Sequence, residues 1–235
     1  MNTSTSIQAK RTSMLRRQWN MSNTEFSNHW DGPHADITKQ IPGVTECTQN
    51  RIVSDIWSTA DEGTYRCDGI VELEFKDAKS RIDASSSNAI SHMLPQDELN
   101  FLDAITLCLV DGGAPQIRHG WIKVMLGGCF HQGNDIHNLE LVITSSNVQH
   151  FSIEKVFGAF CRPALDVESE PPHVFSSIWF AEEAQLNSFF RAGGHWDQQA
   201  RVIFKSCTAW RVEPLAIVKP PRKSEPAGSR EFQPT

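Results

Sequence analysis

Residues 22–43, with the sequence SNTEFSNHWDGPHADITKQIPG, decide how this chain is interpreted, because they predict one helix that carries two histidines. Ser22 and Glu25 form the pattern of a capping box, in which each side chain can satisfy an unpaired backbone amide at the start of a helix. Pro33 cannot donate a hydrogen bond to the helix ladder. The helix is therefore expected either to kink at that point or to restart with Asp31 as its N-cap. The Pro-Gly pair that closes the stretch is expected to end the helix.

The two histidines of this helix are candidates for acid–base chemistry, because imidazole titrates near neutral pH. On an unbroken helix, side chains five positions apart point about 140° away from each other. At most one of His29 and His34 would then face a given pocket, unless the break at Pro33 brings them together. His34 follows the break and is the preferred base, whereas His29 is expected to support it or to pack with Trp30. The alternative is that either histidine only satisfies buried carbonyl groups.

The helix has strand-like segments on both sides, and the order of the elements repeats. Segments 9–113 and 118–218 each suggest the order β-α-β-β-α-β of a ferredoxin-like unit. The residues directly before the fourth strand are interpreted as a polar loop, and the last strand is expected to begin at Arg201. We predict an α+β fold of two ferredoxin-like repeats whose antiparallel sheets pack into one α/β barrel, which makes the chain a pseudo-dimer. Such packing would bury the sheet face that helices leave bare in each repeat. Residues 1–8 and 219–235 are predicted to be a disordered N-terminus and a disordered tail.

The strand at residues 70–75 alternates cleanly between apolar and acidic side chains. Val71 and two further apolar side chains would face one way, while Glu72 and Glu74 would face the other. We expect the two carboxylates to point into the space between the sheets, where they need partners or water. The alternative is a solvated sheet face, which antiparallel sheets allow.

Bulk composition restricts the class of protein. The chain has 235 residues, 39% hydrophobic and 21% charged, and its net charge of −6 argues against a general nucleic-acid partner. No apolar run reaches the length of a membrane helix, so no membrane partner is predicted. The six cysteines are scattered without a CxxC motif and no secretory signal is evident, so free thiols and a cytoplasmic location are predicted.

The motifs of the first repeat, taken together, resemble the EthD family of the dimeric α/β-barrel superfamily. The residues that carry the resemblance are Arg16-Arg17, Met21-Ser22-x-x-Glu25-Phe26-x-x-His29-Trp30-x-x-x-His34-Ala35, Ile41-Pro42-Gly43, Gln49-Asn50-Arg51 and Asp68-Gly69-Ile70-x-Glu72-Leu73-x-Phe75. The resemblance covers about residues 9–110. The second repeat shares only the order of elements, which implies a tandem fusion in which one half retains the motif. Pro33 stands before His34, where the family more often has a proline after the histidine.

The resemblance implies small-molecule chemistry without a cofactor. We expect a lyase, cyclase, decarboxylase or isomerase that acts on an aromatic or polyketide-like compound of secondary metabolism by histidine acid–base catalysis in the barrel. Two alternatives are a non-catalytic or stress-associated binding module and a cofactorless oxygenase of anthrone or quinol type. No metal site is predicted, because the histidine spacings lack a local ligand motif. A fused barrel is compatible with either a monomeric pseudo-dimer or a homodimer.

Several other residues are candidates for this site. Glu72 or Glu74 would assist His34 as a second acid or base, or would orient it. Asn50 and Arg51 alternate along one strand, so only one of them can enter the barrel and hold a developing oxyanion. Arg51 could instead lie outside as a surface cation. Trp30 and Cys108 complete the substrate-binding candidates, with Cys108 expected to face the barrel interior.

Overall fold

The computed structural model of the chain describes residues 9–60, 64–111, 118–146, 148 and 150–219. Segments 1–8 and 220–235, which make up nearly all of the termini predicted to be disordered, lie outside these described residues. Eight strands form the core of the fold. They are β1 (Lys10–Arg17), β2 (Val44–Ser58), β3 (Gly69–Phe75), β4 (Leu102–Asp111), β5 (Ile122–Phe130), β6 (Phe151–Phe160), β7 (Val174–Phe180) and β8 (Phe204–Val218).

The strands close into one antiparallel barrel in the order β1-β3-β2-β8-β5-β7-β6-β4. Within this order, β4-β1-β3-β2 and β8-β5-β7-β6 are two ferredoxin-like sheets. Pairing of β2 with β8 and of β4 with β6 joins the sheets along both edges. Each sheet thereby covers the exposed edges of the other, which would otherwise be open to non-specific strand pairing. The predicted fold, two ferredoxin-like halves closed into one barrel, is confirmed.

Helices cover the outside of the barrel. The α-helices are α1 (Asn23–His29), α2 (Ala35–Thr38), α3 (Ala78–Ser85), α4 (Leu94–Glu98), α5 (Ile136–Ser145), α6 (Glu183–Phe189) and α7 (His195–Ile203). Two π-helical segments, Trp30–His34 and Ala89–Met93, lie between α1 and α2 and directly before α4. The capping box predicted at Ser22 is present, because its hydroxyl accepts from the Glu25 amide and the Glu25 carboxylate accepts from the Ser22 amide. Among the described residues no helix is long and apolar enough to cross a membrane.

Two helical segments were wrongly predicted from the sequence. The region before β4 was predicted as a polar loop, but it holds the second π-helical segment and α4. The last strand was predicted to begin at Arg201, whereas α7 continues to Ile203 and β8 starts one residue later. Trp196 and Ala200 are buried on the inner side of α7, which gives this short helix an apolar stripe despite its polar sequence.

Side-chain alternation separates the barrel interior from the layer between sheet and helices. Met14, Ile70, Cys108, Met125 and Trp210 pack together inside the barrel. On the outside, Leu15, Phe26, Trp30, Phe101 and Leu102 form the core beneath α1. Leu73 and Phe75 also face outward, against the residues around α4. The two compartments are thus divided by a single layer of strands, and each candidate residue belongs to one or the other.

Candidate functional site

The helix that opens at Ser22 runs through Pro33 without restarting. Residues 30–34 form a π-helical turn, and helical backbone angles continue from His29 to Lys39. Pro33 lacks the amide that would bond to the carbonyl of His29 and its ring would clash with that carbonyl in an α-helix. A wider turn relieves both problems, so Pro33 gives a physical reason for the π-helix. Of the two alternatives given for this point, a kink or a restart with Asp31 as N-cap, the restart is therefore wrong.

The π-helical turn brings both histidines to the same side of the helix. In π-helical geometry, hydrogen bonds join residues five positions apart, so residues with that spacing lie above one another. His29 and His34 have this spacing. The limit of one histidine per site was expected only for an unbroken helix, and the irregularity at Pro33 brings the two together, as the alternative allowed. Single π-helical turns inside α-helices often occur at functional sites.

Both histidines bind one carboxylate, that of Asp97 in α4. His29 Nε2 lies 2.8 Å from Asp97 Oδ1, and His34 Nδ1 lies 2.8 Å from Asp97 Oδ2. Phe101 packs against the pair, with its ring stacked on His29 at 4.6 Å and edge-on to His34 at 5.1 Å between centroids. We call His29, Asp97 and His34 the histidine–aspartate centre.

The electrostatics of this centre keep Asp97 ionised. Burial raises the pKa of its carboxyl group, but the hydrogen bonds of His34 and His29 outweigh this effect and lower it below the usual value. An ionised carboxylate only accepts hydrogen bonds, so the ring nitrogen that faces Asp97 carries the proton in each histidine. When such a ring is in its neutral form, its lone pair lies on the other nitrogen, which is Nδ1 in His29 and Nε2 in His34. The His29 side chain is 23% exposed, compared with 10% for His34, so the centre is accessible from outside.

The histidine–aspartate centre lies outside the barrel, in the layer between sheet and helices. Trp30, within the same helix, is fully buried in the core beneath α1, and Gln49 on β2 donates through Nε2 to the Trp30 carbonyl at 2.9 Å. Gly69 on β3 comes so close that an added Cβ would stand 2.5 Å from the Trp30 ring. The helix therefore sits directly on the outer face of β2 and β3. Trp30, proposed from the sequence as a substrate-binding residue, is a core side chain here.

Inside the barrel, the predicted carboxylate of Glu72 is part of a buried charge network. Glu72 binds Lys10 at 3.1 Å and Lys123 at 2.6 Å, and accepts from Asn50 Nδ2 at 3.0 Å. Lys10 also pairs with Glu154. Burial raises the pKa of Glu72, but the lysines, Lys123 above all, overcome this and hold it well below its usual range.

This interior network does not meet the histidines. Glu72 faces into the barrel, as alternation predicted, whereas His34 lies on the other side of the sheet. Glu72 and His34 were predicted to share one barrel pocket. The structure instead places them on opposite sides of the sheet. Glu74 lies near the same interior end, and burial raises the pKa of its carboxyl group.

The remaining candidates divide between the two compartments. Asn50 enters the barrel and also accepts from Lys123 Nζ at 3.0 Å. Arg51 lies outside, where its Nη2 pairs with Asp31 Oδ2 at 2.6 Å, so it is the partly exposed cation of the second interpretation. Cys108 is fully buried in the barrel interior, and burial raises the pKa of its thiol to about 12. A thiol of that kind is not a nucleophile at neutral pH.

Sequence reasoning missed the residue that joins the two histidines. Asp97 lies in a segment taken for a loop, so no pattern pointed it at the helix of residues 22–43. Lys10 and Glu154 were also missed, although both fall on inward-facing positions of their strands. Alternation would have found these two, since each stands next to an outward-facing residue. Among the described residues, no group of three or more histidine, cysteine or acidic side chains is arranged to hold a metal ion.

Two cavities outlined by the described residues lie outside the barrel. The larger, of about 670 Å³, lies among α5, α6 and α7 of the second half and is lined by Trp121, Trp179 and Trp196, among others. The smaller, of about 460 Å³, lies beside α4 and is lined in part by Arg11 and Arg162. Neither includes a member of the histidine–aspartate centre.

Comparison with known proteins agrees with this architecture. An anthrone oxidase-like protein shares the fold with a TM-score of 0.58 and 11% identity over 94% of this chain and 96% of that chain. A provisionally named monooxygenase of Lactobacillus acidophilus NCFM has a TM-score of 0.48 and 9% identity over 90% of this chain and 96% of its own. A provisionally named chlorite dismutase has a TM-score of 0.46 and 11% identity over 87% and 94% of the two chains. At such low identity the first likeness shows the fold alone, and the other two carry no argument.

One family model matches part of the sequence. A search of curated proteins finds no match. The EthD domain, in contrast, matches residues 18–105, a range that contains the capping box, both histidines and Asp97. Residues 18–105 are therefore similar to the EthD domain, and they form part of a chain whose eight strands close into one barrel.

Proposed function

We propose that the histidine–aspartate centre is the proton-transfer site of a cofactor-independent oxygenase that acts on an anthrone- or hydroquinone-type aromatic compound. The observation that carries this proposal is the bridging of His29 and His34 by the Asp97 carboxylate. A carboxylate held in this way fixes the tautomer of each ring and stabilises the imidazolium that forms when a ring takes up a proton. The fold likeness to an anthrone oxidase-like protein is consistent with this chemistry.

The proposed reaction begins with proton abstraction. A free ring nitrogen, His34 Nε2 or His29 Nδ1, removes a proton from the acidic carbon of an anthrone. The carbanion then adds dioxygen to give a peroxide anion, which takes the proton back from the imidazolium. The base next removes the second hydrogen of the same carbon as a proton, the O–O bond breaks, and the hydroxide that leaves combines with that proton as water, which leaves the quinone. One oxygen atom enters the product and the other leaves as water, and the substrate supplies all four electrons. The chain therefore has only to hold the substrate and move its protons.

A test is oxygen uptake with anthrone and with a naphthohydroquinone, measured for wild type and single variants. In Asp97→Asn only one side-chain oxygen remains to accept a hydrogen bond, so one histidine loses its partner. Turnover should therefore fall by about 10²–10⁴-fold while the fold is kept. Comparison of His34→Gln with His29→Gln then identifies which ring takes the proton. The matched control is Asp31→Asn, which removes a carboxylate from the same helix but leaves the histidine–aspartate centre unchanged. Unchanged turnover in Asp97→Asn, or no oxygen uptake by the wild type, would overturn the proposal.

The second candidate function is a lyase, cyclase, decarboxylase or isomerase acting on an aromatic or polyketide-like molecule. The same observation supports it, since a histidine held by a carboxylate serves any reaction that begins by removal of a proton. The two candidates differ in their need for oxygen. Conversion of a substrate under anaerobic conditions, lost in Asp97→Asn and kept in Asp31→Asn, would select this second function. Binding without turnover in either atmosphere would instead indicate a carrier.

A further inference from the structure

The smaller cavity has a charged wall that the proposed chemistry does not use. We call it the arginine groove and define it by Arg11, Arg81 and Arg162 together with the apolar side chains Phe75, Leu109 and Phe160, which all line it. Its volume of about 460 Å³ lies in the range of small-molecule sites. Pro95 of α4 also lines it, whereas Asp97 of the same helix faces the histidines. The groove is therefore separate from the histidine–aspartate centre.

Arg162 and Arg11 of the arginine groove differ in the partners that the described residues supply. Arg162 is neutralised by Glu98, whose two oxygens lie 2.7 Å from its Nε and 3.2 Å from its Nη2. Arg11 projects from the outer face of β1, and its Nε is buried without an acceptor among the residues that the structure describes. A buried donor that lacks a partner is costly, so this atom indicates a missing acceptor.

The electrostatic environment of Arg11 agrees with that geometry. Burial, and next the charge of Arg162, lower the pKa of the Arg11 guanidinium to about 10. Arg81, a third cation, adds to the same effect, while Glu98 opposes it. An anion in the groove would relieve this repulsion and would supply the acceptor that Arg11 Nε lacks.

We propose that the arginine groove binds an aromatic carboxylate. The planar guanidinium fork of Arg11 matches the two oxygens of a carboxylate. Phe75 and Phe160 on the walls offer apolar surface to the ring that bears it. Inorganic phosphate would satisfy the charge but would leave the apolar walls uncovered.

The groove contains its own reporter, because the exposed Cys161 lines it. The experiment measures the rate at which neutral iodoacetamide alkylates Cys161, followed by mass spectrometry, as 2-naphthoate is added. The uncharged 2-naphthalenemethanol and inorganic phosphate serve as matched probes. We expect 2-naphthoate to protect Cys161 in a saturable way, while the alcohol and phosphate protect only at much higher concentration.

Variants separate the charge from the shape of the site. Arg11→Gln should weaken 2-naphthoate binding by about 10-fold or more, since a charge-assisted pair is lost. Arg81→Gln is a second variant in case the first does not fold. Arg201→Gln is the control, because it removes an arginine of α7 that pairs with Asp197. This variant should bind 2-naphthoate as wild type does. The proposal is overturned if 2-naphthoate gives no saturable protection, if the alcohol or phosphate protects equally well, or if binding is the same in the folded Arg11 and Arg81 variants as in wild type.

Discussion

Replacement of Glu72 by glutamine should destabilise the barrel more than most single substitutions, because it removes one charge from a buried neutral network. The network contains two lysines, Lys10 and Lys123, and two carboxylates, Glu72 and Glu154, all at most 3% exposed in their side chains. Glutamine keeps the shape of the side chain but leaves two positive charges against one negative charge. Lys10 retains Glu154, whereas the described residues offer Lys123 no other carboxylate and leave it with the oxygen of Asn50 and the face of the Trp179 ring.

The expected magnitude follows from the burial of Lys123. Loss of one partner from a buried ion pair typically costs about 3–5 kcal/mol, because the other charge stays uncompensated. In urea this corresponds to a fall in the unfolding midpoint of about 1–2 M if the m-value is about 2–3 kcal/mol/M. Glu72→Gln combined with Lys123→Met removes both charges, so its cost should be smaller than the sum of the two single costs by up to about 3 kcal/mol.

Equilibrium urea unfolding, followed by far-UV circular dichroism, measures these differences. The matched control is Glu183→Gln, which breaks a solvent-exposed pair with Arg211 and should change stability by no more than about 1 kcal/mol. The reasoning is refuted if Glu72→Gln is no more harmful than Glu183→Gln. It is refuted equally if the double variant costs as much as its two parts added together.

Three further predictions concern other parts of the molecule. Gly69→Ala should lower the unfolding free energy by about 1–3 kcal/mol, because its Cβ would overlap the buried Trp30 ring. Gly158→Ala should have little effect, because no atom lies within 4 Å of the added Cβ, and thermal unfolding of both variants tests this difference. Folding lowers the pKa of Asp97 below its ordinary value of 3.8, so the stability that this group contributes should be fully present above pH 3.8 and should disappear as the pH falls towards the pKa of the folded state. Urea unfolding from pH 7 to pH 3 should therefore show a smaller loss of unfolding free energy on acidification in Asp97→Asn than in wild type. A neutral alkylating reagent should modify Cys161 before the other described thiols, which mass spectrometry would record as a fast phase of alkylation. Cys161→Ser should abolish this fast phase, and its persistence would contradict the exposure of Cys161.

Local patterns predicted the fold well because they act over a few residues. The capping box at Ser22 and the alternation around Glu72 depend only on neighbours in sequence, and both are present as expected. The repeated order of elements was sufficient to predict that the two sheets would cover each other. The predictions for segments with weak patterns were wrong, because α4 and α7 are helical mainly through burial of a few side chains such as Leu94 and Trp196. Tertiary packing overrides local preference in such short helices.

The site was less predictable, because it depends on one backbone irregularity and one distant residue. Pro33 signalled a break in the helix, but it could not specify that the chain would continue through a π-helical turn. That turn alone decides whether His29 and His34 point together or apart. Asp97 is 63 positions from His34 along the chain, and no periodicity connects the two. Alternation placed Glu72 inside the barrel, yet it gave no information on the side of the sheet that the histidines occupy.

Closure of the barrel within one chain has a consequence for how its two halves can evolve. A barrel made from two identical subunits repeats every interior charge about its twofold axis, so any substitution enters twice. Here the lysines come from β1 and β5, the first strand of each half, but the carboxylates come from β3 in one half and β6 in the other. Such an asymmetric set of charges is open only to a fused chain, where each half can mutate alone. The second half can thereby do without paired histidines while it still supplies charges that stabilise the first.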